Sequence, residues 1–274
     1  MPMNSVNTNT GAYTALQNLN ATNRDLDISQ NRINTGKKIN NAKDNGAIWA
    51  IAQQQRSEVT ALNTVKESLA RGSSAVDVGL AVGESISDLL VQMKDKALAA
   101  TDASLNTASR AALNEDYKAL RDQITTSVTN ASFNGLNMLN ATTGFSALAN
   151  STGTAMRVKG EILSLGGANV TVTATASIGT RTLASAQLTA VNTSINNVSS
   201  ALARLGTGAK AYENHSTFVS KLSDALENGV GNLVDADLAK ESARLQSLQT
   251  KQQLGVQALS IANQSSGKLL GLFR

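Results

Sequence analysis

Cysteine is absent from this 274-residue chain, and proline occurs once, as Pro2. Without thiols there can be no disulfide, thiolate metal site or cysteine nucleophile. Without internal proline nothing forces a helix to end. Aromatic residues are only 3% of the chain, so a thick globular core built on large rings is excluded. Alanine, asparagine, serine and threonine dominate instead, a composition suited to thin seams between helices. The one histidine, His215, cannot by itself build a zinc site of the usual type, and nothing marks a serine and an acid as its triad partners. Gly166-Gly167 lacks the lysine of a phosphate loop. Glu115-Asp116 reads as a solvated face. Asp235 and Asp237 read as first-turn residues of a helix, where its dipole favours negative charge. No enzyme, cofactor or metal site is expected. The net charge of +4 is scattered, with no basic stripe among aromatics, so nucleic-acid binding is not expected either. No apolar run approaches the ~18 residues of a membrane span. Met1 to Asn20 has no basic start followed by an apolar block, so no cleavable Sec-type signal is visible.

What the chain has is helical period. From Ala47 to Ala100, Ile48, Leu62, Leu69, Val76, Leu90 and Ala97 share one heptad position, and Ile51, Val65, Ile86, Met93 and Ala100 share the position three residues on. Alternating steps of three and four put both rows on one stripe. Gly72, Gly79 and Gly83 keep part of that stripe thin. A helix of this length spans roughly 80 Å at ~1.5 Å per residue, so other helices must cover its seam.

Candidates follow along the chain. Ala12, Leu19, Leu26 and Ile33, with Ala15, Thr22 and Ser29, form a weak amphipathic helix ending near Gly36. A polar connector, 37–45, offers Asp44 or Asn45 as the next N-cap, and Trp49 reads as a packing anchor. A second helix is expected over Thr107–Ala131, capped by Ser104, with Leu113, Tyr117, Leu120, Ile124 and Val128 on one face. Arg157–Leu165 and Val170–Thr175 read as the two strands of a β-hairpin turning at Gly166-Gly167-Ala168-Asn169. Helical period resumes near Ala184 in two rows, Leu188, Ile195, Leu202 and Val191, Val198, Leu205, Tyr212, Val219, Leu226, with an interruption expected at Gly229 and Gly231. The last helix, from Leu233, carries Leu238, Leu245, Leu259 and Phe273 beside Val234, Leu248, Ala262 and Leu269.

The expected fold is mainly α, a long antiparallel, coiled-coil-like helical rod with one small β-hairpin region in the middle of the chain. Its segments are 1–36, the N-terminal helix, which pairs with 233–274; a linker, 37–45; two helices, 46–138; the hairpin region, 139–183; a returning helix, 184–230; and the C-terminal helix, 231–274. Neither terminal helix can hide its stripe in a large core. Both are expected to bury it against other copies, and head-to-tail contacts that do not close make a filament.

Three motifs then resemble the bacterial flagellins. They are Arg32-Ile-Asn-Thr-Gly-Lys-Lys-Ile-Asn-Asn-Ala-Lys-Asp-Asn-Gly-Ala-Ile-Trp-Ala-Ile-Ala52, Ser132-Phe-Asn-Gly-Leu-Asn-Met-Leu139, and Ala258-Leu-Ser-Ile-Ala-Asn-Gln264 with Leu269-Leu-Gly-Leu-Phe-Arg274. The resemblance covers about 1–140 and 184–274. It implies the family's D0/D1 architecture, an extracellular filament subunit for swimming, and export unfolded through the flagellar type III apparatus. The implied partners are further copies, that apparatus, a flagellin chaperone, and the hook-associated and cap proteins. Interfaces between subunits and between the terminal helices are expected at Leu19, Leu26, Ile33, Leu238, Leu245, Leu248, Leu259 and Leu269. Family members are often O-glycosylated in the outer segment, which makes Thr142, Thr143, Ser146, Ser151, Thr152 and Thr154 candidate acceptors. About 45 residues separate the helices, which resembles a minimal, alphaproteobacterial member without large outer domains. A hook–filament junction protein of the same superfamily is the nearest alternative, and a secreted helical adhesin or secretion-system tip is one of another class.

Overall fold

The computed structural model describes residues 8–271, with side chains as far as Gln264. The chain forms α1 (Thr10–Thr35), α2 (Gly46–Ala100), α3 (Thr107–Asn130), β1 (Ser132–Phe133), β2 (Leu136–Asn137), β3 (Phe145–Leu148), β4 (Ala155–Val158), α4 (Arg181–Val234) and α5 (Leu238–Gly271). These make two compact units. The terminal unit takes residues up to Ser57 and from Ala225 on; the central unit is Glu58–Asp224. The mainly helical fold with small strands in mid-chain is the one expected from periodicity.

In the terminal unit α1 and α5 lie antiparallel. Asn9 caps α1, its Oδ1 accepting from Ala12 N at 2.9 Å, and its amide donates to Ala262 O at 2.7 Å. Gln252 donates to Asn23 at 2.8 Å, and Leu19 lies over Gly255, where a Cβ would come within 3.2 Å of its methyl. Gly36 ends α1 at φ 67°, a left-handed position that glycine holds without strain. The connector then turns back: Lys38 N and Ile39 N both donate to Val234 O, and Ala236 N donates to Gly36 O at 2.9 Å. Ile39, Ala52, Val230 and Val234 form a small core with Trp49 packed against it, so the tryptophan is an anchor. Asn45 caps α2, accepting from Ile48 N at 3.1 Å. Asp44 instead holds the connector, accepting from Asn40 N and Asn41 N.

In the central unit α2 and α4 pack antiparallel, with Gly72 facing Tyr212 and Gly83 facing Leu202, while Gly79 lies closest to Met138 and farther from Leu205. Val65, Leu69, Val76, Ile86, Leu90 and Met93 of α2 are buried there, as are Val191, Val198, Leu205, Tyr212 and Val219 of α4. From α3, Tyr117, Ile124 and Val128 are buried. β1 and β2 pair antiparallel, as do β3 and β4.

The expected hairpin strands are corrected. The hairpin is Phe145–Leu148 with Ala155–Val158, turning where Asn150 Oδ1 accepts from Thr152 N and Thr154 N. Only the start of Arg157–Leu165 is strand, and Leu165 meets Val170 in a single bridge. The reason is where the donors go. Glu161 N and Leu163 N reach Met138 O and Leu139 O, while Thr171 N reaches Ser194 Oγ on α4 at 2.9 Å. The alternation over Val170–Thr173 still chose the buried side, since Val170 and Val172 are buried and Thr171 and Thr173 exposed.

Two boundaries also move, and one residue of the stripe is not covered. Asn106, not Ser104, caps α3, accepting from Ser109 N at 2.7 Å. α4 continues through Gly229 and Gly231 to Val234, because burial of Val230 and Val234 outweighs a glycine cost of about 1 kcal/mol each. Ile51, although on the heptad stripe, is exposed.

Candidate assembly surfaces

The terminal unit buries one stripe of each long helix and leaves the rest of both in water. Leu26 and Leu248 are buried, Leu19, Ile33, Leu245 and Leu259 are half-buried, and Leu19 lies against Gly255 of α5. Leu238 is exposed, and the side chain of Leu269 lies outside the described residues. Most of these row positions are therefore at least partly covered within one chain. The outward surface is made by other residues, among them Tyr13 at 67% exposure, Leu254 at 58% and Ile261 at 68%. Leu16, Ile28 and Val256 join them. Leu254 and Ile261 stand seven residues apart on α5 and so share a face.

One polar cluster interrupts the seam, and periodicity could not show it. Glu241 accepts from Ser29 Oγ and from Arg32 Nη1, each at 2.8 Å. Burial works to raise the Glu241 carboxyl, but the Ser29 hydroxyl and Arg32 outweigh it and hold the group below the usual glutamate range.

In the central unit the candidate sugar acceptors Thr142, Thr143, Ser146, Thr152 and Thr154 are exposed, whereas Ser151 is half-buried and donates to Glu58. His215 meets Ala149 O at 2.7 Å, an anchor for the hairpin turn. Glu115 pairs with Lys118, and Asp116 with Lys96 at 2.6 Å, which ties α3 to α2. Asp235 and Asp237 are not first-turn residues as expected: α5 starts at Leu238, so Asp237 is its cap, accepting from Lys240 N, and Asp235 precedes it in a bridge with Lys37. Among the described residues no cluster of metal-ligating side chains occurs, and no helix is long and apolar enough to cross a membrane.

The fold and its surface define a class: a mainly helical subunit whose paired terminal helices expose large apolar side chains. Residues 6–143 match the bacterial flagellin N-terminal helical region, and 188–273 match the bacterial flagellin C-terminal helical region. Flagellin FljM of Caulobacter vibrioides is 57% identical over 275 aligned residues, covering 100% of both chains. A flagellin of Brucella melitensis is 39% identical, covering 99% of this chain and 100% of its own. Among solved structures, a protein described as a flagellar hook-associated protein of Vibrio parahaemolyticus shares the fold alone, at a TM-score of 0.55 and 16% identity, covering 70% of this chain and 100% of that one. The chain belongs to the bacterial flagellin family. It is a structural, non-enzymatic subunit of the extracellular flagellar filament, and it serves motility.

Proposed function

We propose that polymerisation buries the outward faces of α1 and α5 against neighbouring copies, so that this helix pair forms the inner tube of the filament. The observation that carries the reading is the exposure of Tyr13, Leu16, Leu254, Val256 and Ile261 on two helices already packed against each other. Each large side chain so covered contributes about 1.5–3 kcal/mol. The family supplies the remaining partners: the type III export apparatus that carries the unfolded chain, a chaperone that keeps it from assembling early, and hook-associated and cap proteins at the filament ends. The exposed hydroxyls of Thr142, Thr143, Ser146, Thr152 and Thr154 are the acceptors open to a glycosyltransferase.

The test is elongation of short filament seeds, followed by electron microscopy. The unaltered protein should extend the seeds. Leu254→Asp and Ile261→Asp, with unchanged helical content by circular dichroism, should not. Extension at the unaltered rate by both variants would overturn the reading.

A further inference from the structure

The central unit carries a charge pattern that its own fold does not use. Asp77, Glu84, Asp88 and Asp95 of α2 are all exposed, and their spacings of seven, four and seven align them on one line of the helix. That line is opposite the face buried by Ile86, Leu90 and Met93. No ion pair found among the described residues involves any of the four. Nor does a lysine or arginine stand three or four residues from any of them. Glu84 and Asp88 are instead four apart, a like-charge spacing that weakens a helix by a few tenths of a kcal/mol. A single-sign stripe about 27 Å long on a chain of net charge +4 is not a mixed solvated face.

The complement lies on the same unit, at the hairpin. Arg157 and Lys159 are exposed on either side of Val158, which is buried and packs toward Gly208 on α4. Extended backbone sends the two cations out together. Arg157 is held by carbonyls, donating to Thr143 O at 2.8 Å and Thr142 O at 3.2 Å, and it forms no ion pair with a carboxylate among the described residues. Arg204 nearby is neutralised by Glu161, through bonds of 2.6 and 2.7 Å. That leaves Arg157 and Lys159 as the unbalanced charge. Their separation, about 7 Å along a strand, matches the ~6 Å rise between Glu84 and Asp88. The two surfaces cannot meet within one chain. The hairpin side of the unit packs on the buried face of α2, with Phe145 at Gly72 and Leu163 at Gly83.

We propose that the α2 carboxylate stripe of one copy docks on the Arg157/Lys159 edge of the hairpin of a second copy. The proposal rests on the filament reading above and assigns it a contact. Because donor and acceptor patches differ, the contact is heterologous and can propagate from copy to copy. Charge complementarity of this kind sets register and speeds encounter.

The absence of cysteine makes the test clean. Filaments of the double variant Asp88→Cys/Lys159→Cys, mildly oxidised, should run as a ladder of disulfide-linked multimers on a non-reducing gel, and neither single variant should. Intact filaments without a ladder would overturn this contact while leaving the filament reading standing. Dimers from Asp88→Cys alone would overturn it too, because they require a self-complementary interface. Seed elongation gives an independent arm. Glu84→Lys/Asp88→Lys and Arg157→Glu/Lys159→Glu should each slow elongation on the order of tenfold. The chain carrying all four changes should recover to near the unaltered rate. Failure of that recovery, with helical content retained, also refutes the pairing.

Discussion

Arg32 on α1 and Glu241 on α5 share a 2.8 Å hydrogen-bonded ion pair, with side chains only 26% and 12% exposed. Ser29, fully buried, donates to the other oxygen of the same carboxylate. A polar cluster in an apolar seam fixes register, because sliding either helix would strand a buried charge.

The Glu241 carboxyl is held below its unfolded value, so it contributes stability that is present above the ordinary glutamate range and lost as pH falls through the depressed folded value. Hydrogen exchange of the α1 and α5 amides should therefore show the pair opening in acid, starting below the usual glutamate range. Glu241→Gln should cost about 1–3 kcal/mol at neutral pH and flatten that acid response. An acid profile unchanged by the substitution would remove Glu241 from this role.

Tyr212 should prove as important to the hairpin as any apolar residue. Its hydroxyl donates to Phe145 O at 2.7 Å and accepts from Val158 N at 3.1 Å, so it bridges both strands to α4. Burial pushes its phenol up, which keeps it a donor well above neutral pH. Tyr212→Phe leaves Val158 N and Phe145 O without this partner and should lower stability by about 1–3 kcal/mol, read by urea denaturation. The loss should concentrate in the exchange rates of β3 and β4.

The helix caps give a smaller effect. Asn106→Ala removes the acceptor for Ser109 N and should cost about 1 kcal/mol. Asn9→Ala removes both a cap and the bond to Ala262 O, so it should cost more and loosen α1 against α5. Equal losses from the two substitutions would show that the Ala262 contact contributes nothing.

The helices were legible because two rows at alternating steps of three and four can bury only one way, and Leu69, Val76, Leu90, Val198 and Leu205 did so. The hairpin was misplaced because alternation reports which side of an extended segment is buried, not what its amides bond. Val170–Thr175 alternates as a strand does, yet Thr171 bonds to α4. The outward surface of α1 and α5 escaped the same rows for a related reason. Periodicity finds the stripe that buries first, and Leu254 and Ile261 stand off it. The Ser29–Arg32–Glu241 cluster joins residues more than 200 positions apart, and no local pattern announces it.

Glycine substitutions separate close packing from helix propensity, and three positions should give three different answers. Gly206 lies within α4, and a Cβ added there would meet nothing within 4 Å, so Gly206→Ala should stabilise the protein by up to about 1 kcal/mol. A Cβ at Gly83 would strike the end of the Leu202 side chain, which is half-buried and can turn aside, so Gly83→Ala should be near neutral. At Gly72 the Cβ would sit 3.0 Å from both Phe145 Cδ1 and Tyr212 Cε2. Neither ring can retreat cheaply, because the Tyr212 hydroxyl is pinned to the hairpin and Phe145 is a strand residue. Gly72→Ala should therefore destabilise by about 1–3 kcal/mol despite the better helix former. Urea midpoints ordered Gly206→Ala, then Gly83→Ala, then Gly72→Ala would establish that α2 keeps its thin seam for packing. If all three alanines stabilised alike, the seam would have slack, and the close approach of α2 to α4 and the hairpin would not limit the fold.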